Sequence, residues 1–222
     1  MNMKFYVIAQ KKERGCPMGL LNAVLYDHCP EDPSSIEHGL AYPWYSDPHE
    51  LRQYPEEMCL VTKEKLIDFS IRSISLTQFL DRGFLDSLLD FKASLKDFKA
   101  IDVMSHKTKE RIVDKEYFAS MFAEDFFLEP SEVVDEKLSS IVSASFGLRA
   151  IKKISLKGSV DRHVFAINGI DARQSTIFCS EEFVQKARER KTKGIEFVPL
   201  DAAKWADVNS FGSDMDVVLP VL

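Results

Sequence analysis

Residues 75–102 and 175–201 follow one plan, and that repetition constrains the fold more than anything else in the chain. With a constant offset of 99, Thr77 falls on Thr176, Phe79 on Phe178, Asp81 on Ser180, Phe84 on Phe183, Leu85 on Val184, Leu88 on Ala187 and Phe98 on Phe197. Asp and Ser carry side-chain oxygens that cap a helix N-terminus, and the Phe, aliphatic, aliphatic trio forms one buried helical stripe. Each stretch therefore reads strand, cap, helix, strand. Chance similarity of amphipathic elements is the alternative to a unit used twice. The second helix also grades from Glu181 and Glu182 to Arg188, Arg190, Lys191 and Lys193, matching its macrodipole, with Gly194 expected as its stop.

Around these units, MKFYVIA (3–9) predicts a first strand and MCLVTKEKL another, while Ile67, Phe69 and Ile71 alternate with polar neighbours. EYFASMF and SEVVDEKLSSIVS read as short helices or helix and turn. IKKISL and HVFAIN read as a strand pair, with Gly158 and Asn168-Gly169 as turn signals. The expected fold class is α+β, with mixed or antiparallel sheets, helices packed on them, and the strand–helix–strand unit used twice. A chain of 222 residues can build its core without disulfide or metal. It divides into an N-terminal lobe (1–110) carrying an aromatic, Pro-rich loop (29–55) and a C-terminal lobe (111–222), or forms one continuous domain.

Charge and cysteine usage narrow the function. A net charge of −6 leaves no surplus of Lys and Arg for phosphate, so no nucleic-acid partner is expected, and a basic protein partner would suit the acidity. No apolar run approaches the roughly 18–20 residues that cross a bilayer, and the start lacks a leader pattern, so the expectation is a cytoplasmic chain without membrane attachment. Cys16, Cys29, Cys59 and Cys179 lie far apart with no C-x-x-C pair, which reads as free thiols in a reducing compartment.

Chemistry is advertised most directly by Cys179 and Ser180, which stand just ahead of a charged helix, where a thiolate would be stabilised. Yet Cys179 is in phase with Ile177, opposite to Phe178, and its counterpart in the first unit is Leu80. A buried structural cysteine with Ser180 as cap is therefore favoured over a hydrolase that uses Cys179 or a carboxylate pair such as Glu56-Glu57 or Asp214-Asp216. No His or Cys pair has a spacing that predicts a metal site, and no phosphate-cradling or nucleophile-elbow motif is present, so neither cofactor nor metal nor catalytic residue is expected.

Between Cys29 and Pro55 the chain holds five prolines together with Tyr42, Trp44, Tyr45, His49 and Tyr54, followed by Glu56 and Glu57. Aromatic rings in a proline-stiffened loop offer large contact area at low entropic cost, the composition of a binding surface; the alternative is that they roof the core. Glu124 and Asp125 open an acidic run to Glu136 and are a second candidate patch for a partner, against a solvated helix face.

HVFAINGI, IFCSEEFVQKA and TKGIEFVPL make an arrangement of Phe-x-Ile, Ser-Glu-x-hydrophobic and Gly-x-x-Phe-x-Pro. In this the second half resembles bacterial immunity proteins of polymorphic toxin systems, the branch called immunity protein family eleven. KFYVIAQ and FKAIDV fit the same plan more loosely, and residues 10–60 match nothing in it. The resemblance implies a cytoplasmic protein that binds one cognate toxin domain and blocks it without catalysis of its own. It carries over no site residues. A protein-interaction module with no role in immunity remains the other non-enzymatic alternative.

Overall fold

The computed structural model describes residues 3–19, 21–34, 53–74, 77–143, 149–170 and 176–205. The first part of the chain forms β1 (Phe5–Gln10), β2 (Ala23–Tyr26), β3 (Cys59–Thr62), β4 (Ile71–Ile74), β5 (Thr77–Asp81), α1 (Arg82–Asp90) and β6 (Leu95–Ser105). Then come β7 (Tyr117–Phe122), a 3-10 turn (Glu124–Phe126), β8 (Phe127–Leu128), the single-turn α2 (Pro130–Val133), β9 (Ser140–Ser143) and β10 (Arg149–Lys153). The chain closes with β11 (Val164–Ile167), β12 (Ile177–Ser180), α3 (Glu181–Glu189) and β13 (Ile195–Pro199). A six-stranded sheet has the order β2-β3-β6-β7-β5-β4, a five-stranded sheet the order β13-β1-β12-β11-β8, and β9 pairs with β10. The fold is mixed α+β.

The two repeated stretches take the same structure down to their caps. Asp81 and Ser180 share one extended conformation, and their side chains accept from the backbone N–H of Phe84 at 2.8 Å and Phe183 at 3.2 Å. Each cap satisfies a donor that the first helical turn leaves unpaired. At the other end Lys92 and Lys191, again 99 positions apart, adopt φ of 52° and 55°. Lys191, then, terminates α3; Gly194, with φ of 69°, lies in the turn that enters β13 rather than at the helix stop.

Strand pairing extends the repeat beyond what an offset scan can reach. In the first unit β4, β5, β7 and β6 lie side by side, all antiparallel. The second unit has the same arrangement in β11, β12, β1 and β13, with the chain's first strand in the place that β7 occupies. Tyr117 faces the capping Asp81, and Phe5 faces the capping Ser180. The first residue of each helix also donates its N–H to the strand beside it, Arg82 to the Glu116 carbonyl at 3.3 Å and Glu181 to the Lys4 carbonyl at 3.0 Å. The second unit is thus completed from the far end of the sequence. Pairing crosses residue 110 in both directions, because β1 belongs with residues 164–199 and β7 with residues 71–105.

Two sequence expectations change. EYFASMF is not a helix: Tyr117–Phe122 is a strand with all six residues buried, held between β5 and β6. A strand covered on both faces loses the alternation that identifies it and reads as a continuous apolar run. IKKISL and HVFAIN do not pair with each other, since β10 pairs with β9 whereas β11 lies between β12 and β8. SEVVDEKLSSIVS contributes the short α2 and then β9.

The core joins the two units. Phe84 and Phe183, equivalent positions on α1 and α3, meet edge to face at 5.9 Å between centroids. Around them pack Leu80, Leu85, Leu88 and Phe118 of the first unit with Tyr6, Cys179, Val184 and Ala187 of the second. The opposite face of the six-stranded sheet is covered by a cluster around Phe69, Phe79 and Tyr117, and that of the five-stranded sheet by one around Phe165 and Phe178.

Charged contacts tie the turn before β13 to the N-terminal segment and to β4. Glu13 pairs with Lys11 at 2.7 Å and accepts from the Gly194 N–H at 2.8 Å; these contacts hold its carboxyl below the usual range, the Lys11 bond being the larger cause. Burial pushes Asp68 upward, but Lys193 and Lys115 outweigh it and leave the carboxyl lowered, while Asp68 raises Lys193. A lowered carboxylate stabilises the fold above its unfolded pKa and loses that contribution as pH falls through its folded pKa; a raised lysine loses its contribution as pH rises past its unfolded value. We expect the urea midpoint to fall below about pH 4 and again above about pH 10.5. Measured in the Glu13→Gln variant, the acid-side fall should be shallower, and an unchanged acid limb would remove Glu13 from the account.

Candidate functional site

The candidate partner loop is bounded by β2 and β3, and the structure describes both of its ends. On the outgoing side, Asp32 accepts from Ser34 and from Lys109 Nζ at 2.9 Å, contacts that lower its carboxyl to about 2, with the Ser34 hydroxyl as the larger cause. On the returning side, the Tyr54 N–H donates to Asp97 Oδ2 at 2.6 Å, and its hydroxyl shares a hydrogen bond with Thr77 Oγ1 at 3.0 Å. Tyr54 is buried in the cluster around Phe69 and Phe79, and burial pushes its phenol upward. It anchors the loop and offers no ring to a partner. Tyr42, Trp44, Tyr45 and His49 lie outside the described residues.

Glu56 and Glu57 follow on the surface. Lys99 Nζ sits 2.8 Å from Glu56, whose side chain stays 92% exposed, so the pair holds the loop end in place at a worth of about 0–1 kcal/mol. The second patch is a consequence of Phe126: its ring is buried and stacks on Phe122 at 3.7 Å, which turns Glu124 and Asp125 outward on the 3-10 turn. Asp125 accepts from Ser94 Oγ at 2.7 Å and lies 3.9 Å from Arg162.

The structure brings the two patches to one end of β6. Ser94 precedes that strand and holds Asp125, while Asp97 and Lys99 within it hold Tyr54 and Glu56. Six residues of extended chain put these anchors within about 20 Å of one another. Both patches are therefore tethered near the start of β6, the loop end beside the cluster that buries Tyr54 and Asp125 beside the one that buries Phe126, a proximity that the separation of 68 positions from Glu56 to Glu124 conceals in the sequence.

Cys179 and Ser180 are placed for structure. Cys179 is fully buried, with its thiol pushed well above the ordinary cysteine value by burial. Ser180 is fully buried as the α3 cap. A contact that the sequence did not suggest joins His163 Nδ1 to Ser180 Oγ at 2.8 Å, with Glu182 at 3.7 Å. It resembles a nucleophile, base and acid set, but both partners meet the same nitrogen. A relay needs the base to hold the nucleophile on one nitrogen and the orienting acid on the other. Ser70, the residue that precedes β4 as His163 precedes β11, makes the matching contact to the Asp81 cap at 2.9 Å, which marks the position as cap support. Cys179→Ala should lower stability by about 1–2 kcal/mol and leave partner binding unchanged, measured by urea denaturation and titration; lost function in a folded variant would restore the nucleophile.

Glu56 and Glu57 are exposed, and Asp214 and Asp216 lie outside the described residues. Among the described residues, no cluster of three His, Cys, Asp or Glu side chains is arranged to hold a metal ion, and no helix is long and apolar enough to cross a membrane.

The family model described as Immunity protein 43 matches residues 8–215, spanning both units from the second half of β1 onward. This defines the class, an immunity protein of a polymorphic toxin system. Within that class, the chain belongs to the Immunity protein 43 family. The family number read from the closing motif, eleven, is not supported. That motif consists of core and cap positions such as Phe165, Ile167, Ser180 and Phe183, which report a shared fold better than a particular branch. No curated protein matches the chain.

Proposed function

We propose that this chain binds one cognate toxin domain and neutralises it by covering the toxin's active site, acting in the cytoplasm without catalysis of its own. The observation that carries the reading is the immunity-family match across residues 8–215. The arrangement at the start of β6 supports it: a loop rich in aromatic residues returns beside exposed Glu56 and Glu57, near Glu124 and Asp125. Aromatic anchors with a charged rim suit recognition of a basic protein surface.

Co-expression with a candidate cognate toxin tests the proposal. A stable complex and suppressed toxicity are expected; absence of both binding and protection would refute it. If the rim carboxylates steer a basic toxin, the association rate falls as ionic strength rises, because exposed charges are screened within about 10 Å at 0.1 M salt. A flat salt response, measured by stopped-flow mixing, would remove charge from the explanation.

A further inference from the structure

Two large apolar side chains that stay exposed, Leu89 at 42% and Phe98 at 38%, flank one corner of the first unit, where α1 meets the sheet. The floor of the corner is Phe118 on β7, a buried ring that meets the Phe98 ring at 6.4 Å between centroids. Arg82, the first residue of α1, lays its guanidinium 4.2 Å from the centre of the same Phe118 ring. Leu89 follows seven residues later, two helical turns along the same flank of α1. The Arg82 side chain is half exposed, its Nε donates to Glu116 Oε2 at 3.1 Å, and its other guanidinium N–H groups have no partner among the described residues. A guanidinium held flat on a ring with donors to spare is prepared for a carboxylate.

The second unit supplies a comparison within the molecule. At the offset of 99, Arg82, Leu89 and Phe98 correspond to Glu181, Arg188 and Phe197, while strand pairing sets Tyr6 in the place of Phe118 and Lys4 in that of Glu116. There the corner is closed. Arg188, standing where the first unit has Leu89, lies over the Phe197 ring at 5.9 Å, and Phe197 packs against the core. Glu181 accepts from the Tyr6 hydroxyl at 3.2 Å, and Lys4 Nζ lies over the Tyr6 ring at 5.4 Å. One backbone thus carries charged groups that cover its rings in the second unit and bare apolar groups in the first, so the fold itself does not demand an open corner.

We propose that the corner between α1 and β6 of the first unit is a docking surface for the cognate toxin domain, taking an apolar side chain against Leu89 and Phe98 and a carboxylate on Arg82. The choice of the toxin as occupant rests on the toxin-binding reading. Position and chemistry favour it. Phe98 lies four residues beyond Ser94, which holds Asp125, so about 13 Å of strand links the corner to the acidic patch. Exposed aromatic and Arg side chains are the types that anchor protein interfaces. The Glu116 side chain is 61% exposed, and an ion pair so open to solvent is weak enough for a partner's carboxylate to join or displace it on the planar guanidinium.

The test titrates the full chain calorimetrically with the toxin domain against which it protects on co-expression, and melts each free variant. Phe98→Lys and Leu89→Lys, both changes at exposed positions, should each weaken binding about tenfold or more and leave the melting temperature nearly unchanged. Arg82→Gln should weaken binding as well, whereas Glu116→Gln, which releases Arg82, should not. Wild-type affinity in both lysine variants would overturn the docking surface and leave toxin binding standing. Weakened binding only in variants that melt well below wild type would make the corner part of the core and overturn it equally. A greater loss from Glu116→Gln than from Arg82→Gln would overturn the carboxylate. A wild-type chain that neither binds nor protects would remove the toxin from this proposal and from the function proposed above.

Discussion

Replacing Arg72 by Ala should lower the stability of the fold by about 3–5 kcal/mol, and the melting temperature by about 10 °C. Arg72 is the largest of the fully buried side chains, at 1% exposure. Its guanidinium donates to three backbone carbonyls: Nε to Pro17 at 2.9 Å, Nη1 to Ile71 at 2.7 Å and Nη2 to Gly194 at 3.0 Å. Burial lowers its pKa to about 10, so it remains charged at neutral pH. The three acceptors belong to the N-terminal segment, to the start of β4 and to the turn before β13, so one side chain joins parts of the chain that lie far apart in sequence. Truncation takes that donor from the Pro17 and Ile71 carbonyls, whereas the Gly194 carbonyl keeps the Lys11 N–H at 2.9 Å, and each buried acceptor left stranded costs about 1–3 kcal/mol. Arg72→Lys should fall between wild type and Ala, because an ammonium group keeps the charge but not the planar fork that reaches three acceptors. Urea denaturation checks both; a loss under about 1 kcal/mol for Arg72→Ala would show that water replaces the guanidinium.

The double substitution of Trp44 and Tyr45 by Ala should weaken toxin binding by about 100-fold or more while leaving the melting temperature nearly unchanged. Large aromatic anchors carry most of the energy of a protein interface, each worth about 2 kcal/mol or more when it is central. The described ends of the loop are held through Asp32, Tyr54 and Glu56, and none of these is replaced. Titration calorimetry against the toxin, with thermal melting of the free variant, separates the outcomes. A large drop in melting temperature would make the two rings part of the core, as Tyr54 is. Unchanged affinity would move the interface to another surface.

Tyr54 shows where legibility in the sequence ends. Composition marked it as one more ring in a binding loop, because its burial depends on Thr77 and Asp97, residues of another segment. The EYFASMF strand was missed for a related reason, since a strand covered on both faces carries no alternation. Cys179 and Ser180 were legible because their constraints are local: strand phase fixes which face the cysteine takes, and the cap bond spans only three residues. The carboxylates were legible as charges but not as neighbours.

The sequence by itself determined the repeated strand, cap, helix and strand, down to the capping Asp81 and Ser180 and the stripe that buries Phe84 and Phe183. These follow from periodicity and from hydrogen bonds between residues a few positions apart, which leave a mark in the order of residue types. Only the tertiary structure decided that β1 completes the second unit and that Arg72 reaches Gly194. Such contacts join residues from 122 to 193 positions apart, at offsets that no repeat shares, and the packing of the whole chain selects them.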